Sequence, residues 1–447
     1  MDRKELAQEL VEMAVCAGAT DAEVLVREGM EFSSAVRLGK VEKLLQANFR
    51  KLGVRVWHGR RAAVSATSDF SLVALRQIVS DTLDMARAAS EDPAAGLPPQ
   101  HLYQRELASL ELCFPEAATQ PAESKMQLAR RCEQAALSFD PRINNSEGAE
   151  FADSLTHTTY ANSLGICAAY SKTVVTLSAT PLAEQHGQKQ RDSWLSTHID
   201  PARLDSPEDV GTEAARRTLR RLGAQKISTC EVPVVFDPLA ASSLLKHVAE
   251  AVSGTALLRK ASFLMGKLGS RVASPAMTIY DDALLPGGLG SRPFDAEGVP
   301  SQSTAVIRDG LLENYLLDSY AARKLGLRST ANADREPHGG TSSGPSNFYL
   351  KPGTSSPLEI IRSLKTGLLV TEVIGFGVNI VSGNYSQGAT GQWIQNGEIA
   401  FPVEEITIAG NLRDMLTSVE AVGNDLVVLG PVFAPSLLIG KMVVSGR

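Results

Sequence analysis

Near residue 228 the chain changes character, and that change constrains its fold more than any other feature. Upstream, stretches with helical periodicity alternate with strand-like runs. Downstream come short apolar runs, VPVVF, STAVI, LLVTEVIG and EEITIAG, separated by glycine-rich turns. Runs of that length between turn residues read as strands. The expected architecture is α+β. Residues 1–228 form an N-terminal α/β-type domain, and residues 229–447 a mostly antiparallel, β-rich domain with a few helices. A length of 447 residues also exceeds what one ordinary core serves, which asks for two or three domains.

In the first half, Asp2 and Glu5 are spaced as a capping box. Leu6, Leu10, Met13 and Ala17 then give an apolar stripe that Gly18 ends. Val24 and Val26 mark a strand. Leu52, Val54 and Val56 mark another, which turns at His58-Gly59-Arg60 into a third over 62–66. Leu75, Val79, Leu83 and Ala86 share one helical face. Residues 91–100, EDPAAGLPPQ, hold three prolines and a glycine and read as a connector. A helix over 122–137, a strand-prone stretch over 146–178 and a loop or exposed hairpin over 186–200 follow. Ser206-Pro207 opens a further helix and Gly223 closes it.

Composition excludes some functions. With a net charge of −6 and no dense basic tract, the chain lacks the footprint that displaces counterions from nucleic acid. Its nearest approach, Arg216, Arg217, Arg220 and Arg221, reads as the solvated face of a helix. No apolar run reaches the roughly 20 residues a helix needs to cross a bilayer. The opening MDRKELAQEL reads as an amphipathic helix and not as a signal peptide. Five cysteines without CxxC spacing suit a reducing compartment, so a cytoplasmic location is expected.

Catalytic motifs are scarce. No two of the seven histidines lie three to five residues apart, so no HExxH or HxxxH pair sets two imidazoles on one helical face. A Walker A loop and a GxGxxG helix opening are also missing. The glycine-rich stretch 287–290 precedes no strong helix, which argues against a phosphate cradle. A helix is expected from Asp237, with Ala241, Leu244, Leu245, Val248 and Val252 inward. His247 and Glu250 fall on its polar side as weak metal candidates, and Lys246 next to His247 disfavours a cation. His338 lies in ADREPHGGTSSGPSN, a loop rich in Gly and Ser. Trp393 reads as sheet-face packing. Asp281 and Asp282 are adjacent, so in a strand they point apart and cannot share one bond.

Three blocks carry a resemblance to a known family: residues 291–330 (SRPFDAEGVPSQSTAVIRDGLLENYLLDSYAARKLGLRST), residues 383–416 (GNYSQGATGQWIQNGEIAFPVEEITIAGNLRDML) and VGND at 422–425. The sequence resembles the TldD/PmbA family, whose members also carry the description of modulators of DNA gyrase. The resemblance implies a TldD/TldE heterodimer enclosing a chamber in which unfolded or short peptides are hydrolysed. In the TldD-type branch, a helical HExxxH and a cysteine near the C-terminus hold the metal. The corresponding helix here is 237–254, which puts Leu245, Lys246 and Glu250 at the three motif positions, and no cysteine follows VGND. RPFDAEGV and YSQGATGQW resemble the PmbA/TldE branch. The resemblance therefore implies a non-catalytic subunit without a cofactor of its own, with zinc in a TldD-type partner, and a homodimer as a further possibility when the chain is alone. Arg292, Phe294, Asp295, Glu297 and His338, with the 336–346 loop, are the expected chamber or substrate contacts; pairing of Arg292 with Asp295 to hold a turn is the alternative. An independent hydrolase using His247, Glu250 and His338, and a regulator that binds gyrase, are the alternatives.

Overall fold

The computed structural model describes residues 2–446. Strands hold 40% of the chain and helices 25%, and only two of the strand pairings among the described residues are parallel, which makes the fold α+β as expected. The N-terminal half is built on one antiparallel sheet. Its strands are β1 (Asp21–Arg37), β2 (Lys40–His58), β3 (Arg61–Thr67), β4 (Ile143–Asn162), β5 (Cys167–Gln185), β6 (Gln188–Arg191) and β7 (Trp194–His198). The order is β3-β2-β1-β4-β5-β6, with β7 also on β5. The β1–β2 turn puts Leu38 and Gly39 both at positive φ, the two-residue geometry that matches strand twist.

Four helices cover one face of this sheet: α1 (Arg3–Cys16), α2 (Leu72–Ala88), α3 (Ala122–Ser138) and α4 (Pro207–Leu219). Val24, Val26, Leu52, Val54 and Val56 meet α1 and α2; Phe32, Phe151, Leu177 and Ala179 meet α3 and α4. The α2 stripe is the expected one. On α1 the buried residues are Ala7, Leu10, Val11 and Ala14, so the helix sits rotated from the Leu6/Met13/Ala17 stripe. The small Ala7 and Ala14 allow close approach, and Leu6 and Met13 seal the margin. The strands run far beyond the expected segments: polar residues such as Ser34, Asp153 and Thr159 are buried along them as well, so the alternation on which a sequence reading depends is lost.

In the C-terminal half, strands Cys230–Phe236, Thr366–Ile374, Asn384–Gln395, Glu398–Asn411 and Leu437–Ser445 close into a ring, because Glu398–Asn411 also pairs with Leu437–Ser445. Closure leaves no open edge on these strands. A smaller five-stranded sheet packs beside the ring, and one large core, from Val232 to Val444, serves both.

The halves interlock through buried charge. The four arginines after residue 215 correct the solvated-face expectation. Arg217 is 5% exposed, lies over Trp194 at 5.2 Å, and sits 3.5 Å from Asp192 and 3.8 Å from Asp237. Arg221 pairs with Glu372 at 2.7 Å, and Arg216 is the outward member. Burial next to two carboxylates holds Arg217 and Arg220 at the junction, where solvent would otherwise compete.

The 91–100 connector is also ordered. Its residues 94–98 are buried under α6 (Ser319–Leu325), where Arg323 donates to the carbonyls of Ala94 (2.7 Å), Gly96 (2.7 Å) and Leu97 (3.0 Å). Charged donors contribute about 1.5–3 kcal/mol per bond in favourable cases. Arg323→Ala is expected to free this segment. Limited proteolysis should then cut between residues 91 and 99 at a protease level that spares the wild type; equal resistance would show that the clamp is dispensable.

Candidate functional site

Two places concentrate chemistry-bearing residues: the helix singled out by sequence, and the polar face of the N-terminal sheet. The helix, α5 (Pro238–Ala251), starts as its sequence dictates, with the Asp237 carboxylate accepting from the Ala240 amide at 3.0 Å and proline in the first turn. Burial pushes Asp237 up to about 6, against the pull of Arg217 and Arg220. Leu245 is 3% exposed in the core, whereas Lys246 and Glu250 face solvent. His247 is part-buried and edge-on to Tyr385 at 6.2 Å; burial, then Lys246, lowers its pKa. The segment after VGND returns to this helix: the Ala434 amide donates to Ser242 Oγ at 3.0 Å. The Asp425 carboxylate fixes that return by accepting from the Ser436 amide (2.9 Å) and hydroxyl (2.7 Å).

The RPFDAEGV stretch lies where the C-terminal half docks on the sheet. Phe294 is 1% exposed and meets Tyr170 edge-on at 5.1 Å. Asp295 accepts from the amides of Glu297 (2.9 Å), Val299 (3.0 Å) and Ala333 (3.1 Å), which holds the turn without an ion pair to Arg292. Glu297 is 0% exposed and accepts from the Ser319 amide (2.9 Å) and hydroxyl (2.8 Å) at the start of α6. Burial, reinforced by Asp295 and Asp318, pushes Glu297 up to about 8, and burial pushes Asp295 to about 6. Gly298 sits at φ +74° with the Tyr160 ring where a Cβ would go, 2.3 Å away, so only glycine fits. Phe294, Asp295 and Glu297 thus face the interior of this chain and present no surface to a substrate in this conformation. Of the expected contacts, His338 is exposed on its loop and Arg292 is partly so. Asp281 is buried and Asp282 part-exposed, as opposite sides of a strand require. Trp393 stacks on Phe401 at 6.4 Å against the core.

Sequence reading missed the charges beneath this dock. Glu23, 0% exposed, pairs with Arg335, approaches Arg55 at 3.4 Å and accepts from Tyr160 Oη at 2.7 Å. Arg335 begins the 336–346 loop, which stays on the sheet through Arg55 to Thr341 and Arg27 to Glu336 (2.6 Å). The loop lies so close that a Cβ on Gly53 would come within 1.9 Å of the Pro337 carbonyl.

Beyond the loop the polar face is bare and forms a cleft of roughly 600 Å³. Registration places its residues in rows across β2, β1, β4 and β5: Lys51, Arg27, Thr158 and Tyr170; then Phe49, Gly29, Thr156 and Lys172; then Ala47, Glu31, Ser154 and Val174. No local motif announces these rows, because they join segments more than a hundred residues apart.

The family models for PmbA/TldA metallopeptidases match the chain in three parts: domain 1 at residues 22–90, the central domain at 115–222 and the C-terminal domain at 229–446. The chain belongs to the PmbA/TldD family. It is similar to Metalloprotease PmbA of Escherichia coli O157:H7, 37% identical across 100% of this chain and 97% of that protein. It is also similar to the Metalloprotease PmbA homolog of Haemophilus influenzae, 38% identical over 98% of this chain and 94% of the other. The crystal structure of a Bacteroides thetaiotaomicron protein, described as a candidate modulator of DNA gyrase, superposes with a TM-score of 0.91 at 28% identity, covering 99% of each chain. The chain is therefore a member of a metallopeptidase family. At the α5 positions that the sequence resemblance equates with the motif, however, the residues are a buried hydrocarbon, a solvated ammonium and one exposed carboxylate, and the returning 426–436 segment has no cysteine. That donor set does not fit a zinc ion. For His247 and Glu250, no third His, Cys, Asp or Glu completes a cluster among the described residues. No helix among the described residues is long and apolar enough to cross a membrane.

Proposed function

We propose that this chain is the non-catalytic, PmbA/TldE-type subunit of a heterodimeric TldD/TldE-type metallopeptidase that acts on unfolded or short peptides in the cytoplasm. The observation that carries this reading is the donor set on α5, where Leu245 lies in the core and Lys246 and Glu250 are in solvent. A lysine cannot serve as the general base that a glutamate supplies beside a metal, and leucine has no lone pair to donate. The likeness to relatives named Metalloprotease PmbA across nearly the whole chain supports the peptidase context. Zinc and the hydrolytic step then belong to the TldD-type partner, and this chain contributes enclosing surface and peptide contacts.

The test compares the chain purified alone with the chain co-expressed with a TldD-type subunit, measuring complex mass, zinc content and cleavage of an unfolded protein such as reduced casein. The expected outcome is an inactive chain without stoichiometric zinc, as monomer or homodimer, and an active zinc-containing heterodimer. Stoichiometric zinc and cleavage by the chain alone, both lost in His247→Ala, would make it an independent hydrolase. Capture of gyrase, with no association with a TldD-type subunit, would make it a regulator.

A further inference from the structure

The four central strands of the N-terminal sheet leave part of one face uncovered, and the charges there are unevenly matched. Arg27 is neutralised by Glu336 at 2.6 Å. Lys51 is exposed and has no ion-pair partner among the described residues. Lys172 reaches from β5 towards the glycine-rich 287–290 stretch, where its ammonium donates to the carbonyls of Leu289 and Ser291. These carbonyls explain the glycine-rich sequence as a close-packed dock: the Gly290 amide is pinned by Asn347 at 2.7 Å, and a Cβ there would meet the Ser346 carbonyl at 2.2 Å. Carbonyls solvate an ammonium but do not neutralise it. The charged neighbour acting on Lys172 is a second cation, Arg292, whose Nε and Nη2 are buried without a hydrogen-bond partner. Burial and that neighbour push Lys172 down to about 8. Against these cations the cleft sets Glu31 as its one carboxylate outside the Arg27 pair.

The rest of the lining suits a polypeptide. Ser154, Thr156 and Thr158 present hydroxyls that donate to or accept from a main chain, and Phe49 and Tyr170 flank them as apolar walls. Gly29 carries no side chain of its own, and the Phe49 ring closes over it, 3.1 Å from where a Cβ would stand. A cavity of roughly 600 Å³ takes a few residues of extended chain.

We propose that this cleft binds an extended peptide segment and that Lys172 receives one of its carboxylates, either the chain terminus or an acidic side chain. Lys51 at the opposite wall adds attraction from the rim. The occupant is chosen by charge complementarity: Arg292 feels the buried carboxylates Asp281 and Asp295, whereas Lys172 has only carbonyls, and an anion in the cleft gives it the countercharge it lacks. The inference rests on the reading of this chain as a peptide-handling subunit and adds to it the chemistry that its own surface selects.

The experiment uses the full-length chain alone and a fluorescein-labelled unstructured octapeptide in two forms: one ending in Asp-Glu with a free carboxylate, the other its fully amidated, Asn-Gln counterpart. Fluorescence anisotropy gives the affinities. The acidic peptide is expected to bind the wild type at least about tenfold more tightly than the amide, the scale of one charge-assisted hydrogen bond. Lys172→Met should remove most of that preference, while binding of the amide changes little. Lys51→Glu, on an exposed position that cannot unfold the sheet, should weaken the acidic peptide specifically and serves as the variant that survives if Lys172→Met fails to fold. Equal binding of both peptides to the wild type, or an acid preference unchanged in a folded Lys172→Met and in Lys51→Glu, would overturn the proposal. Because binding is measured without a partner, a heterodimer that fails to hydrolyse casein while the acid preference persists would reject the subunit reading and spare this one; the reverse pattern would do the opposite.

Discussion

Arg335→Ala is expected to lower the folding stability of the chain by about 3–5 kcal/mol, the usual cost of removing one partner from a buried ion pair. Arg335 and Glu23 are 4% and 0% exposed, and they join the first strand of the sheet to the C-terminal half. Without Arg335 the Glu23 carboxylate keeps Tyr160 as a donor and Arg55 at 3.4 Å, which is less than a buried charge requires. Replacing both partners, as Glu23→Gln with Arg335→Met, should recover part of the loss, because the fully buried carboxylate goes with its partner and Arg55, 12% exposed, keeps Thr341 as an acceptor. The measurement is the first guanidinium-induced transition followed by tryptophan fluorescence, since Trp57 is fully buried beside this network. A loss below about 1 kcal/mol would show that the pair is no stronger than a surface one.

The second large effect is on pH dependence. Glu297 titrates near 8 in the folded chain because burial, Asp295 and Asp318 all oppose its charge. A raised folded pKa means that the native state holds its proton more tightly than the unfolded chain does. This contribution is complete below the unfolded value, about 4.3 for glutamate, and is lost as pH rises through about 8. Asp295, pushed to about 6, acts in the same direction over a lower window. Wild-type stability should therefore fall between pH 5 and about 8 through these two groups. Glu297→Gln cannot ionise and can keep an acceptor oxygen for the Ser319 amide, so its stability should fall less over that range and exceed the wild type's at the alkaline end. Thermal melts of both proteins from pH 5 to pH 9 decide it, and parallel curves would place the Glu297 proton elsewhere.

Much of the architecture was legible in the sequence, for identifiable reasons. Apolar stripes at helical spacing located α2 and α5. The short runs after residue 230 marked strands, because there one apolar face meets a core. The extent of β1, β2, β4 and β5 was not legible, since both faces of these strands carry polar residues over long stretches and no alternation survives. The arginines of α4 misled for a related reason. Composition cannot distinguish a guanidinium in water from one held between Asp192 and Asp237, since both carboxylates come from other segments. At the candidate site, the leucine and lysine that the resemblance sets at two motif positions of α5 can be read directly as Leu245 and Lys246. The cleft rows cannot be read at all, because Lys51, Arg27, Thr158 and Tyr170 become neighbours only through strand registration.

The Glu23–Arg335 pair also limits how this chain can be recombined. Its two members lie 312 positions apart and on opposite sides of the domain junction. A chimera that takes its first half from one relative and its second from another inherits them from different parents. Such hybrids should fold only when both parents agree at the two positions, so compatibility at this single contact ought to predict which domain swaps yield soluble protein.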